Sequence, residues 1–312
     1  MNQRANQRTK RAAVAAPGLY PYLPLLSELG DLKRVRAAHL AGSVASGLFR
    51  RAWSALAGGA ETTGLALDTT AAALCAARLG AMDGAVLAQG GLSGEAARDV
   101  SKAAFDAVAE PLPDELRDSL RESAGAERPG DGRAPDFVAA LERQPRAGAT
   151  RPGRPRLVLE PPESHAEHCA AVAVYGVILS GEFGARPGPV FAAGLAHHLH
   201  NAGLPDSGFA GEELLGDHLG GVTDAFRESA LAELPDPARR RAREAIELTA
   251  HAESTEARAF HAADVLDRVL QMRHYERQAG FTLEQALDEM DLVHPGPLKD
   301  FQDAVLSGAG LR

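Results

Sequence analysis

The sequence predicts an all-α protein. Alanine is abundant and runs of β-branched residues are scarce. Apolar residues recur at helical spacing in one segment after another. Many of those segments open at Ser, Thr or Pro and close at Gly, the residues that start and stop helices. The expected organisation is an N-terminal helical region over residues 1–150 and a C-terminal helical bundle over 151–312.

The basic stretch MNQRANQRTKRAAVAAPG at the start lacks an apolar core and reads as a disordered tail rather than a signal peptide. Residues 31–57 read as one long helix, or two broken near Gly42, with Val35, Leu40, Val44, Leu48 and Trp53 along one side. Residues 61–89 read likewise. Segment 93–110 opens on Ser93 and Glu95 ahead of an apolar stripe through Ala97, Val100, Ala104 and Val108. Pro113 suits the start of a helix over 113–123. Residues 124–156 are rich in Gly, Pro and Arg, which makes them the best linker, with a short helix in APDFVAALER. Beyond it, 165–181 reads as a strongly apolar helix ending at Gly181, and 188–203 as a helix from Pro189 to Gly203. A Gly-punctuated connection with one short helix is expected over 204–221. Residues 238–252 read as an amphipathic helix. The longest helix of this half is expected over 254–280, capped by Ser254 or Thr255 and closed by Gly280, with a further helix over 281–290.

Bulk properties exclude several classes. No apolar run approaches the ~18–20 residues of a membrane helix, so no membrane partner is expected. Cys75 and Cys169 form no CxxC pair, and a reducing cytoplasm fits. Residues 1–156 carry 21 Lys and Arg against 17 Asp and Glu, a net of +4; residues 157–312 carry 12 against 25, a net of −13. That acidic half would repel a nucleic-acid backbone, so long DNA or RNA is disfavoured. A small phosphorylated molecule held by a metal and a few arginines stays open.

Histidine is the informative residue. Ten of the eleven lie between His165 and His294. They cluster in ESHAEHC, with His165 and His168, and in AHHLHNA, with His197, His198 and His200. Asp264 follows in HAADVLDR. Imidazole and carboxylate bind borderline divalent metals. On a helix, residues three or four apart share a face, so His165 neighbours His168, and His197 neighbours His200 and Asn201. His198 would then point about 100° away, and a pair at 197–198 would straddle the helix edge. Three imidazoles and one carboxylate, from His168, His197, His198 and Asp264, suit Mn, Fe, Co, Ni or Zn with water in the open positions. Asp267 is expected behind Asp264 or toward solvent. His39, His274 and His294 read as surface residues, and the run Arg239, Arg240, Arg241 and Arg243 as a solvated face.

The order ESHAEH, then an apolar stretch with HHLxN, then TEARxxHAADVLDRVLQxxxYE resembles the HD-domain phosphohydrolases, and within them the 5′-deoxynucleotidase-like branch. The resemblance covers roughly residues 160–280; its most specific part is Thr255, Glu256, Ala257, Ala263, Asp264, Leu266, Asp267, Gln271 and Tyr275. It implies a helical bundle around one or two divalent metals and a phosphohydrolase acting on a small phosphorylated compound, with a nucleotide as the expected class. In that reading His168 is the first ligand, His197 the dyad histidine and Asp264 the last ligand. The chain departs from the family at two places. His198 replaces the dyad aspartate, and Asn201 replaces a glutamate that serves proton transfer or assists water. Asn201 is the catalytic-position residue least able to act, since an amide exchanges no proton. These departures leave a second expectation: a catalytically impaired HD-like domain that senses a metal or ligand or assembles proteins. For residues 1–150, covering the site, completing a homo-oligomer and binding a partner are all open roles.

Overall fold

The computed structural model describes residues 17–126, 133–153 and 156–277, with isolated positions beyond them. The fold is all-α: among the described residues there is no strand, only three isolated β-bridges. The helices of the N-terminal half are α1 (Leu23–Gly30), α2 (Val44–Ala57), α3 (Thr62–Leu79), α4 (Gly84–Gln89), α5 (Gly94–Asp106), α6 (Asp114–Ser123) and α7 (Asp136–Arg143). The C-terminal half supplies α8 (His165–Phe183), α9 (Pro187–Ala196), α10 (Gly208–Leu215), α11 (Leu219–Ala232), α12 (Asp236–Thr249) and α13 (Thr255–Arg277).

Several expected boundaries move. The helix expected over 31–57 is not continuous: Asp31–Lys33 form a single 3-10 turn, a bridge joins Arg36 to Ser43, and α2 begins only at Val44. Ser43 caps it by accepting a hydrogen bond from the Ser46 N–H. The segment 61–89 breaks at Gly80, whose φ of +59° only glycine adopts without strain. α8 runs past Gly181 to Phe183 and stops at Gly184 in the left-handed conformation. Residues 204–221 hold α10, a 3-10 turn and the start of α11, which continues to Ala232. Ser254 caps α13, its Oγ accepting from the Ala257 N–H. The helix expected over 281–290 and the N-terminal tail fall outside the described residues.

α8 is the axis of the fold. Ser164 and Glu167 form a capping box: the Ser164 Oγ accepts from the Glu167 N–H, and the Glu167 carboxylate accepts from the Ser164 N–H. From His165 to Ser180 every residue is buried, the signature of a helix surrounded by others. α9 lies along it at very close range. A Cβ on Gly194 would come within 2.5 Å of the Ala173 Cα, so glycine is what permits the approach. α2 and α3, from the other side of residue 150, pack on α8, while α3 and α12 pack on α9. Trp53 anchors that contact region, edge-on to Phe137 with ring centroids 4.9 Å apart. These elements belong to one compact unit that runs to Asp267; a second unit begins at Arg268.

Candidate metal centre

Three elements deliver the expected ligands to one place. His168 sits on the second turn of α8 and is fully buried. His197 and His198 follow α9, and Asp264 lies on α13. The helix-edge geometry expected for 197–198 is wrong, because α9 ends at Ala196. His197 is its C-cap, His198 leaves the helical region at φ −109° and ψ 20°, and a 3-10 turn follows over Leu199–Ala202. The break swings both rings to the same side, with centroids 4.3 Å apart. Burial of Leu199 and Asn201 holds that turn in place.

The donor atoms converge. His168 Nε2 lies 3.1 Å from His197 Nε2 and 3.3 Å from Asp264 Oδ1. Ligating atoms of His168, His197 and His198 all fall within 4.8 Å of one another. For metal–nitrogen bonds of ~2.1 Å, neighbouring ligand atoms stand about 3.0 Å apart at right angles and about 3.4 Å apart at the tetrahedral angle. The two short separations fit that range.

The remaining ring nitrogens fix the tautomers. His168 Nδ1 donates to Asp267 Oδ2 at 2.7 Å, and His197 Nδ1 donates to the Gly194 carbonyl at 2.8 Å. Asn201 Nδ2 donates to the Leu204 carbonyl at 3.1 Å, which turns Oδ1 toward His198 to accept from its Nδ1 at 2.9 Å. Each imidazole therefore spends its proton on an outer partner and presents a bare Nε2, the arrangement that orients metal-binding histidines. Two bare nitrogens at 3.1 Å and a carboxylate beside them repel unless a cation lies between. A proton on His168 would bridge the same pair through an Nε2–H···Nε2 hydrogen bond, so the 3.1 Å separation accommodates either an imidazolium or a metal ion. Burial pushes His197 down to about 3, helped by the neighbouring His168, and burial with the adjacent histidines holds His198 well below its ordinary value. The donor set fits a divalent ion.

Asn201, expected at a catalytic position, has both amide atoms engaged in orienting His198 and the following turn. Asp267 is a larger surprise. It is 1% exposed and holds His168 from behind. Its other oxygen accepts from Lys33 Nζ at 2.6 Å, and Lys33 also donates to Glu163 at 2.5 Å. All three side chains are buried. Burial alone would raise the Asp267 carboxyl, but Lys33 and His168 hold it low. Arg146 reaches the second Glu163 oxygen at 3.4 Å, and its Nε is buried without a hydrogen-bond partner. Sequence reasoning missed Lys33 and Arg146, and gave Glu163, the first residue of ESHAEH, no role. The one local signal was a lysine between Leu32 and Val35, directly after the apolar LPLLSELGDL.

A comparison with family models, with curated proteins and with solved structures finds no match to this chain. The geometry therefore has to be interpreted from its own residues. His165 is fully buried 4.7 Å ring to ring from His198, with Nε2 3.5 Å from Asp206 Oδ2. Burial would raise Asp206, yet the nearby His165 ring and hydrogen bonds from the Ala147 and Gly208 N–H groups hold it well below the usual range. His200 stacks outside His198 at 5.7 Å. Of the other histidines, His39, His218 and His251 are exposed and His261 donates to the His251 carbonyl; His274 is half-buried rather than a surface residue, and His294 lies outside the described residues. Three of the four arginines of the run are tied up in structure, and Arg240 is exposed. Arg239 bonds the Leu231 and Leu234 carbonyls, Arg241 the Ala60 carbonyl, and Arg243 the Glu228 carboxylate. No helix among the described residues is long and apolar enough to cross a membrane.

Proposed function

We propose that this chain is a divalent-metal-dependent phosphohydrolase acting on a small phosphorylated compound, with a nucleotide as the expected class. The observation that carries the reading is the pair of short separations at His168 Nε2, 3.1 Å to His197 Nε2 and 3.3 Å to Asp264 Oδ1, with both imidazoles locked in the metal-binding tautomer. The resemblance to HD-domain phosphohydrolases supplies the reaction class. When bound, a divalent ion at this site polarises a phosphoryl oxygen and makes water acidic enough to attack near neutral pH.

The protein's own groups do the rest. Asp267, the Gly194 carbonyl and Asn201 keep the three rings aimed. Phe260, with its ring 5.2 Å from His197, and the buried Cys169 wall one side of the site with apolar surface. Asn201 donates no proton, so the leaving group takes its proton from solvent. That costs about 10²–10⁴ in rate against a site with a placed acid.

The test is to strip the protein of metal and reload it with Mn, Fe, Co, Ni or Zn. Phosphate release is then measured from nucleoside monophosphates and other phosphomonoesters. Release under at least one metal, lost in His168→Ala, supports the reading; no release under any metal overturns it. One observation favours a second reading, a non-hydrolytic module that senses metal or ligand: Asn201 stands where a proton-transferring acid is expected, with both amide atoms already bonded within the protein. Stoichiometric metal without turnover would be its mark.

A further inference from the structure

A second group of donors lies directly behind the centre. Glu163, His168 and Asp267 bring ligating atoms within 4.8 Å of one another, all buried. Three such groups could hold a cation, but here the cation is part of the chain. Lys33 Nζ lies 2.5 Å from Glu163 and 2.6 Å from Asp267, from a 3-10 turn 130 residues before the first and 234 before the second. Asp267 has two oxygens: one takes the lysine proton, the other the His168 Nδ1 proton at 2.7 Å. With Lys33 in place, the carboxylate has one orientation that satisfies both, and that orientation aims His168 Nε2 at His197 and Asp264.

We infer that Lys33 is a positioning residue of the metal centre: through Asp267 it fixes the ring of His168, making the N-terminal region a working part of a site whose ligands all lie beyond residue 164. The inference rests on the metal reading above. The competing role is plain charge compensation, in which Lys33 only neutralises two buried carboxylates. The two roles differ in what a second substitution does. Glu163→Leu removes one of the two negative charges that Lys33→Met strands, and it brings no donor to Asp267.

The experiment titrates the metal-free full-length protein with Co(II), reading affinity and the visible d–d spectrum, with far-UV circular dichroism as the check on folding. Lys33→Met is expected to weaken Co(II) binding by ~10–100-fold, the scale for an outer partner of a ligating histidine, and to alter the spectrum. Lys33→Met with Glu163→Leu should stay equally weak. Asp267→Asn should show a comparable loss, and Lys33→Met combined with it should add little, because both act through one bond. Wild-type affinity and spectrum in Lys33→Met, or recovery in the Glu163→Leu double variant, would overturn the inference. If Lys33→Met does not fold, the Lys33→Met, Glu163→Leu double variant, which strands one charge fewer, is held to the same criteria. A wild-type chain that takes up no Co(II) fails differently: it removes the metal reading itself, and the role of Lys33 with it.

Discussion

Acidifying the metal-free protein from pH 7 to pH 5 should weaken the fold through its histidines. His197 is pushed down to about 3 and His200 to about 4, first by burial and then by neighbouring positive charge, against an ordinary value near 6.5. Between those values and 6.5 the unfolded chain carries protons that the folded chain refuses. The stability these groups contribute is therefore complete above about pH 6.5 and falls as the pH drops below it. Each contributes a slope of up to about 1.4 kcal/mol per pH unit. Two such groups over the 1.5 units down to pH 5 lose roughly 3–4 kcal/mol once the rounding near 6.5 is allowed for, and His165 and His198 are shifted in the same direction. Against a typical domain stability of ~5–15 kcal/mol that is a large fraction. Asp206 and Asp267 are also held low, but the stability they add is lost only below about pH 4, near the ordinary aspartate value. The range from 7 to 5 therefore isolates the histidines. Trp53 is the single tryptophan and is buried, so its fluorescence in urea at the two pH values reports the difference. A urea midpoint that is unchanged or higher at pH 5 would refute the reasoning.

His168→Ala and Asp264→Ala should each lose more metal affinity than the ~10–100-fold expected for an outer partner, as read by Co(II) titration. Asn201→Ala frees His198 to rotate and should weaken the same titration by ~10-fold, the lower end of that range. Gly194→Ala would drive a Cβ to 2.5 and 2.6 Å from the Ala173 Cα and N. No flexible side chain can yield there, so a loss of ~1–3 kcal/mol is expected in urea unfolding, with weaker metal binding because α9 carries His197. Residues 151–312 expressed alone should remain unfolded by circular dichroism, since the fragment lacks both cations that accompany Glu163 and Asp267 and exposes the faces of α8 and α9 that α2 and α3 cover.

The sequence displays what is local and hides what is not. The capping box at Ser164 and Glu167 and the unbroken apolar run after it announce α8, and the i to i+3 spacing places Asp264 and Asp267 on one side of α13. The end of α9 is different. AGLAHHLHNAG has the composition of a continuing helix, and propensity yields there to packing: Leu199 and Asn201 are buried in a 3-10 turn that sits against α7 and α11. That one misplaced boundary sent His198 to the wrong side in the helical projection. Lys33 was hidden for a second reason. Its carboxylate partners lie 130 and 234 residues away, and no periodicity links residues at such separation. Asp267 had the right spacing to be noticed, but a carboxylate at i+3 from another looks like a solvated face until its cation is known.

The charges around the centre decide which ion it prefers. Lys33 and Arg146 face Glu163 and Asp267, two cations against two carboxylates, so the buried cluster behind His168 is balanced before any ion arrives. His168, His197 and His198 present neutral nitrogens, and Asp264 alone brings a negative charge to the front. Mg and Ca bind through several hard oxygens and would find one here. Mn, Fe, Co, Ni and Zn accept imidazole, and affinity for a nitrogen-rich site rises along the first-row series toward the later ions. Replacing His198 by Asp would add a second carboxylate to the shell and shift it toward Mg and Mn. Under the metal reading, His198 is therefore the residue on which the preference among divalent ions turns.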